Sequence, residues 1–144
     1  MTLTLTDRME LYALHRALME AKFHADPDAT EVQGSPYVAT VSHRVLDALI
    51  VAEEAERNQR AADGWRDWRR GEQHDWLRRF VLTRLAQYPR LTPEQRIDYV
   101  RALTGPLIVD EAWVAAVIAD AAEAGKDAPD QAPPANEEPG VVDS

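Results

Sequence analysis

Histidines and carboxylates are the residues of this chain that could most directly bind a metal ion or carry a proton. Glu20 and His24 lie four residues apart, as do His43 and Asp47, so each pair would share one helical face. A carboxylate-bridged metal centre in a helical bundle normally uses Glu-x-x-His twice, and this motif is absent from the sequence. We therefore expect no metal and no cofactor. The four residues support only a second alternative, a metal-binding or enzymatic helical protein.

Nucleophilic catalysis has no suitable arrangement either. Ser42 and His43 are adjacent, so on a helix they would point about 100° apart and could not share a proton. The chain has no cysteine, and its six glycines form no phosphate-binding loop. Residues 26–31 place oxygens as a calcium loop does, but Glu31 replaces the required glycine and Tyr37 the required glutamate. We expect a protein that is not an enzyme and has no catalytic residues.

A basic segment in the middle of the chain is the strongest candidate for a binding site. Residues 57–101 carry eleven bases and six acids, whereas the whole chain has a net charge of −9. Tryptophan and arginine are the residues most enriched at the energetic centres of protein interfaces. We therefore predict a partner-binding site in this segment. Its residues are Trp65, Arg66, Trp68, Arg69, Arg70 and Arg78.

Nucleic-acid binding is the first alternative function, because arginine binds phosphate and tryptophan can stack on a base. Two features weigh against it. Several arginines have an acid three or four residues away, such as Asp67 and Arg70. The last expected helix, residues 110–124, carries four acids and no base, which makes it a poor reader of a polyanion.

The elements that position these residues are helices, because apolar residues recur at spacings of three and four and nowhere alternate over a strand's length. We predict an all-α protein, a small bundle of about five helices over residues 1–125. Local signals set several ends: Ser35-Pro36 and Thr92-Pro93 begin helices, and Gly71 interrupts one. The helices are expected at about 7–25, 36–62, 65–88, 92–104 and 110–125.

The second of these helices would be the longest. Its apolar stripe consists of Val38, Val41, Val45, Ala48, Ala52 and Ala55. At about 1.5 Å per residue, a continuous helix over residues 36–62 would be about 40 Å long. That length is large for so small a domain, so either the helix kinks or its far end packs on a second copy of the chain, which allows a homodimer.

Residues 126–144 differ in composition, with four prolines, five acids and few large apolar residues. Such a segment buries too little surface to offset its ordering entropy, so we expect a disordered acidic Pro-rich C-terminal tail. No apolar run is long enough to span a membrane, and no secretory signal is visible. We expect a cytoplasmic, non-enzymatic protein–protein interaction module of regulatory, adaptor or assembly type. It would bind a protein partner through its helical faces and the Trp/Arg segment.

Overall fold

The computed structural model describes residues 2–24 and 30–127, which form seven α-helices and no β-strand. The helices are α1 (Arg8–Lys22), α2 (Thr30–Gln33), α3 (Pro36–Ala55), α4 (Gln59–Trp68), α5 (Asp75–Ala86), α6 (Pro93–Thr104) and α7 (Glu111–Asp127). The predicted all-α class is confirmed, but the predicted number of about five helices is wrong. Residues 26–29 of the calcium-like stretch and residues 128–144 of the acidic tail lie outside the described residues. Residues 126 and 127, assigned to that tail, belong to α7.

The helix expected over residues 36–62 is two helices. Arg57 adopts a φ of +60°, in the left-handed region that L residues rarely enter, and the chain turns there. Asn58 then begins α4 by accepting a hydrogen bond from the N–H of Ala61 at 3.2 Å. α3 therefore spans 20 residues, or about 30 Å. The long helix that suggested packing on a second copy does not exist. The short α2 was also missed.

Helix starts follow the local signals in the sequence. The Ser35 side chain accepts from the N–H of Val38 at 3.2 Å, with Pro36 in the first turn of α3. Thr92 and Gln95 form the predicted capping box, in which each side chain bonds the other's backbone N–H. These contacts satisfy amide groups that have no partner inside the helix.

Two apolar clusters make up the core. The first joins α1, α3 and α4, and its buried residues are Leu11, Leu46, Leu49, Ile50 and Ala62. The second joins α5, α6 and α7 and the segment before α7, with Leu77, Val81, Leu85, Val100, Leu103, Leu107, Val109, Val114 and Val117 buried. Trp68, at the end of α4, packs against both clusters. The α4 end is thus one place where the two clusters meet, and α3 also packs directly on α6.

The connection between α4 and α5 is tied to the segment that precedes α7. The Gly71 N–H donates to the Ile108 carbonyl at 2.8 Å, and the Ile108 N–H donates to the Arg69 carbonyl at 2.7 Å. Gly71 is required by this close approach, because an added Cβ would lie 2.6 Å from Cγ1 of Val109. The break predicted at this glycine is confirmed. Within the described ranges, no helix is both long and apolar enough to cross a membrane.

Candidate interaction site

The two tryptophans of the predicted site are half-buried and hold α4 against α1. His15 of α1 is buried between them, with its ring centroid 5.0 Å from that of Trp65 and 5.2 Å from that of Trp68. Both ring pairs meet edge to face, which is the favoured aromatic geometry. The Trp65 indole N–H donates to the buried Glu53 at 3.4 Å. These rings therefore fix the position of α4 and leave only part of their surface to solvent.

The arginines of the predicted site are all engaged with carboxylates. Arg70 pairs with Asp67 at 3.1 Å, as the three-residue spacing predicted, and also with Glu72 at 3.1 Å. The partners of Arg66, Arg69 and Arg78 include acids from other helices, which local spacing cannot reveal. They are Glu54 and Asp63 for Arg66, Asp47 for Arg69, and Asp120 for Arg78.

Five of the six predicted residues come together and one does not. Trp65, Arg66 and Trp68 lie on α4, and Arg69 and Arg70 follow its end directly. Arg78 lies on α5 and pairs across to α7. The sequence therefore grouped Arg78 with side chains that belong to a different part of the surface.

Arg69 links α4 to α3 through two side chains. Its Nη1 donates to Oδ1 of Asp47 at 2.6 Å, and its Nη2 lies 3.2 Å from Nδ1 of His43. Because arginine can only donate, Nδ1 of His43 accepts and the imidazole proton resides on Nε2. The Arg69 side chain is 13 % exposed. His43, Asp47 and Arg69 thus form one network along the α3–α4 contact.

A buried lysine connects α1 to α6 near this network. Lys22, at the end of α1, is fully buried, and its Nζ donates to the Ala102 carbonyl of α6 at 2.7 Å. That carbonyl has no partner in its own helix, because the residue four positions later is Pro106, which has no N–H. The Lys22 ammonium therefore caps the end of α6.

Burial lowers the pKa of each of these groups. The pKa of Lys22 falls from 10.5 to about 8 through desolvation. The pKa of His15 falls from 6.5 to about 4, mainly through desolvation and then through the charges of Arg16 and Arg69. Desolvation, followed by the Arg69 charge, also lowers the pKa of His43. Both histidines are consequently neutral at pH 7.

The solvent-facing side of α3 carries a line of apolar residues that we call the α3 face. Tyr37 is 81 % exposed, Val41 44 % and Val51 63 %. Arg44, in the middle of the line, is its only charged member, and it forms no ion pair within the part of the chain that the structure describes. The complete α3 face consists of the exposed Tyr37, Val41, Arg44, Val51 and Ala55 and the half-buried Ala48, which also packs against the first core cluster.

One edge of the α3 face is bordered by the predicted Trp/Arg segment. Asp47 and Glu54 follow this edge of α3, and they pair with Arg69 and Arg66. The apolar line therefore runs beside a short ladder of arginine–carboxylate pairs. A central apolar strip with a polar, arginine-containing rim is the usual anatomy of a protein interface.

The α3 face was missed because the apolar stripe of this helix was assigned the wrong phase. Val41 and Ala55 were expected to be buried, yet both are exposed. The buried residues are instead Ala39, Ser42, Val45, Leu46, Leu49, Ile50 and Glu53. A helix that is apolar nearly all round does not reveal its inner face through periodicity. The sequence signal for this face was that α3 contains more apolar residues than one buried face requires.

Other sites on the described surface offer less chemistry. Within residues 2–24 and 30–127, no three histidine, aspartate or glutamate side chains cluster as metal ligands would. A groove of about 720 Å³ lies between the carboxyl ends of α5 and α7, with Leu82, Tyr88 and Ile118 among its lining residues. Its charged rim contains Arg78, which is already paired with Asp120.

The comparisons with family models, curated proteins and solved structures each found no match. The function must therefore be argued from the residues themselves. The α3 face can bury apolar surface against another protein, while the charged groups along its edge pair with charges on that protein.

Proposed function

We propose that this protein is a non-enzymatic protein–protein interaction module and that the α3 face is the surface it presents. The observation that carries the proposal is the line of exposed Tyr37, Val41 and Val51 on the central helix, with a single charge among them. Fully burying one such side chain contributes about 1.5–3 kcal/mol. Three together supply several kcal/mol toward the cost of association. The proposal keeps the cytoplasmic setting expected from the sequence.

The Trp/Arg segment contributes the edge of the proposed surface. Trp65 and Trp68 pack on His15 of α1, and the Trp65 indole donates to Glu53 of α3, so α4 is held beside α3. That packing keeps Arg66 and Arg69 in place along the rim. A surface whose groups are already ordered loses less conformational entropy when a partner binds.

Nucleic-acid binding is less well supported. Arg66, Arg69, Arg70 and Arg78 each have a carboxylate partner, and a phosphate would have to displace it. Such binding would depend steeply on salt, because it would release counterions. Association through the α3 face depends mainly on apolar burial and should survive moderate salt.

The test is affinity purification from the native cell with wild type, Val51→Glu and Ile97→Glu side by side. Ile97 is an exposed apolar residue of α6, so Ile97→Glu places the same new charge on the surface off the α3 face. We expect a stoichiometric partner with wild type and Ile97→Glu that is absent with Val51→Glu. Circular dichroism should show equal helix content in all three. The same partners at the same yield in all three samples would contradict the proposal.

A further inference from the structure

We infer that a second copy of this chain covers the α3 face, with the two α3 helices packed side by side in antiparallel orientation. This inference rests on the proposed function, because it names the partner of the same surface. Two observations carry it, the spacing of the face and its charge pattern, and the size of the face sets how tightly the two copies bind.

The spacing of the α3 face is symmetric about its centre. Its members follow one another at intervals of four, three, four, three and four residues, which is the repeat by which two helices pack along a seam. The midpoint lies at position 46. An antiparallel second copy therefore places its Val51 against Val41, its Ala48 against Arg44 and its Ala55 against Tyr37. Each large side chain meets a small or equal one, as interdigitating helices require.

The charges on the α3 face favour the antiparallel orientation. In this register, Asp47 of the second copy lies at the level of position 45 of the first copy. It is therefore only one residue, or about 1.5 Å along the helix axis, from Arg44 of the first copy. Oδ1 of Asp47 accepts from Arg69, but the Asp47 side chain is 66 % exposed and its Oδ2 bonds no other group among the described residues. Each Arg44 could therefore pair with an Asp47 of the other copy, and the twofold axis generates two such pairs. A parallel arrangement would instead place the two Arg44 side chains together, which is repulsive.

The size of the surface predicts a weak dimer. A helix of 20 residues is about 30 Å long and about 10 Å wide, so α3 alone offers a projected face on the order of 300 Å². A standard interface buries about 800 Å² on each partner. The ladder of Arg66 and Arg69 beside α3 adds to the contact without reaching a large interface. We therefore expect a weak, transient dimer whose dissociation constant lies at the upper end of the micromolar range.

Sedimentation equilibrium of the full chain across micromolar concentrations tests the dimer. Wild type should shift from monomer to dimer within this range. Arg44→Glu should raise the dissociation constant at least about tenfold, because the new carboxylate faces Asp47 of the second copy. Adding Asp47→Lys to Arg44→Glu should restore part of the loss. The matched control Arg79→Glu alters another exposed helical arginine, which lies on α5, and should stay within about twofold of wild type.

Disulfide trapping tests the orientation, and the chain is suited to it because it has no cysteine of its own. Val41→Cys and Val51→Cys chains, which have the same mass, are mixed and oxidised, and the cross-linked species are identified by the masses of their disulfide-linked tryptic peptides, because cleavage after Arg44 separates the two positions. The antiparallel register predicts that the mixed 41–51 species predominates. Predominance of the 41–41 and 51–51 species would overturn the orientation.

The two proposals fail in different ways. A wild type that stays monomeric throughout the micromolar range would overturn the inference of a second copy. If Val51→Glu still abolished capture of a different protein in that case, the proposed interaction function would stand. If neither capture nor self-association responded to Val51→Glu, both proposals would fail.

Discussion

Replacing the buried Lys22 by methionine should change how the stability of the protein depends on pH. Lys22 caps α6 by donating to the Ala102 carbonyl at 2.7 Å, and its pKa is lowered from 10.5 to about 8 by burial. A base with a depressed folded-state pKa is protonated in the unfolded chain and neutral in the native protein between those two pH values. The free energy of unfolding therefore rises with pH in that window.

The size of this effect follows from the two pKa values. Below pH 8 the lysine is charged in both states and contributes no pH dependence. With a pKa of 10.5 in the unfolded chain and about 8 in the native protein, wild type should gain about 2.5 kcal/mol of unfolding free energy between pH 7 and pH 10. Lys22→Met has no group to titrate there and should lack this gain. At pH 7 the substitution itself should have a small net effect. Removing the buried charge is favourable, because the charge no longer has to be desolvated. Leaving the Ala102 carbonyl without a donor costs about 1–3 kcal/mol, so the two effects oppose each other.

Urea denaturation of wild type and Lys22→Met across this pH range measures the difference directly. The matched control is Lys126→Met, which removes the only other lysine, an exposed one near the end of α7. It should keep the gain of wild type. Tyr99 and other groups that titrate at high pH are common to all three proteins and cancel in the comparison. Parallel pH profiles for wild type and Lys22→Met would refute the assignment of a buried, neutralisable lysine to this site.

Two further predictions concern His15 and the close approach at Gly71. Between pH 7 and pH 5 wild type should lose about 2 kcal/mol of stability through His15, because only the unfolded imidazole takes up a proton there. Thermal denaturation of His15→Phe should show a flatter profile, and an unchanged acid sensitivity would count against the burial of this ring. Gly71→Ala should destabilise by about 1–3 kcal/mol, because the new methyl group meets Val109 at 2.6 Å. Gly64→Ala, in the middle of α4 with nothing within 4 Å, should stabilise by about 0.5–1 kcal/mol, and equal effects of the two changes would contradict the packing described.

The parts of the fold that depend on neighbouring residues could be read from the sequence. Ser35 and the Thr92–Gln95 box begin helices as expected, since a cap and its target amide are only three residues apart. The break near Gly71 was predictable because glycine is a poor helix former, although its close approach to Val109 is a long-range contact. In contrast, nothing local foretold that Arg57 would adopt a positive φ and divide the longest predicted helix.

Features that depend on distant parts of the chain could not be predicted. Lys22 finds its acceptor 80 residues away, and Arg69 finds Asp47 22 residues away. A basic segment read in isolation therefore looks like a free cationic surface, although Arg66, Arg69 and Arg78 pair with carboxylates on other helices. The buried side of α3 was predicted wrongly for a related reason. Which apolar side faces inward depends on α1, α4 and α6, against which the helix packs.

Photo-crosslinking in the native cell tests most directly whether the α3 face binds another protein. A benzophenone side chain is placed at Val51 in one variant and at Ile97 in a second variant. Both positions are exposed, but only Val51 lies on the α3 face. We expect a discrete protein adduct from position 51, with a mass matching two copies of this chain, and no adduct from position 97. Equal labelling from both positions, or none from position 51, would contradict it.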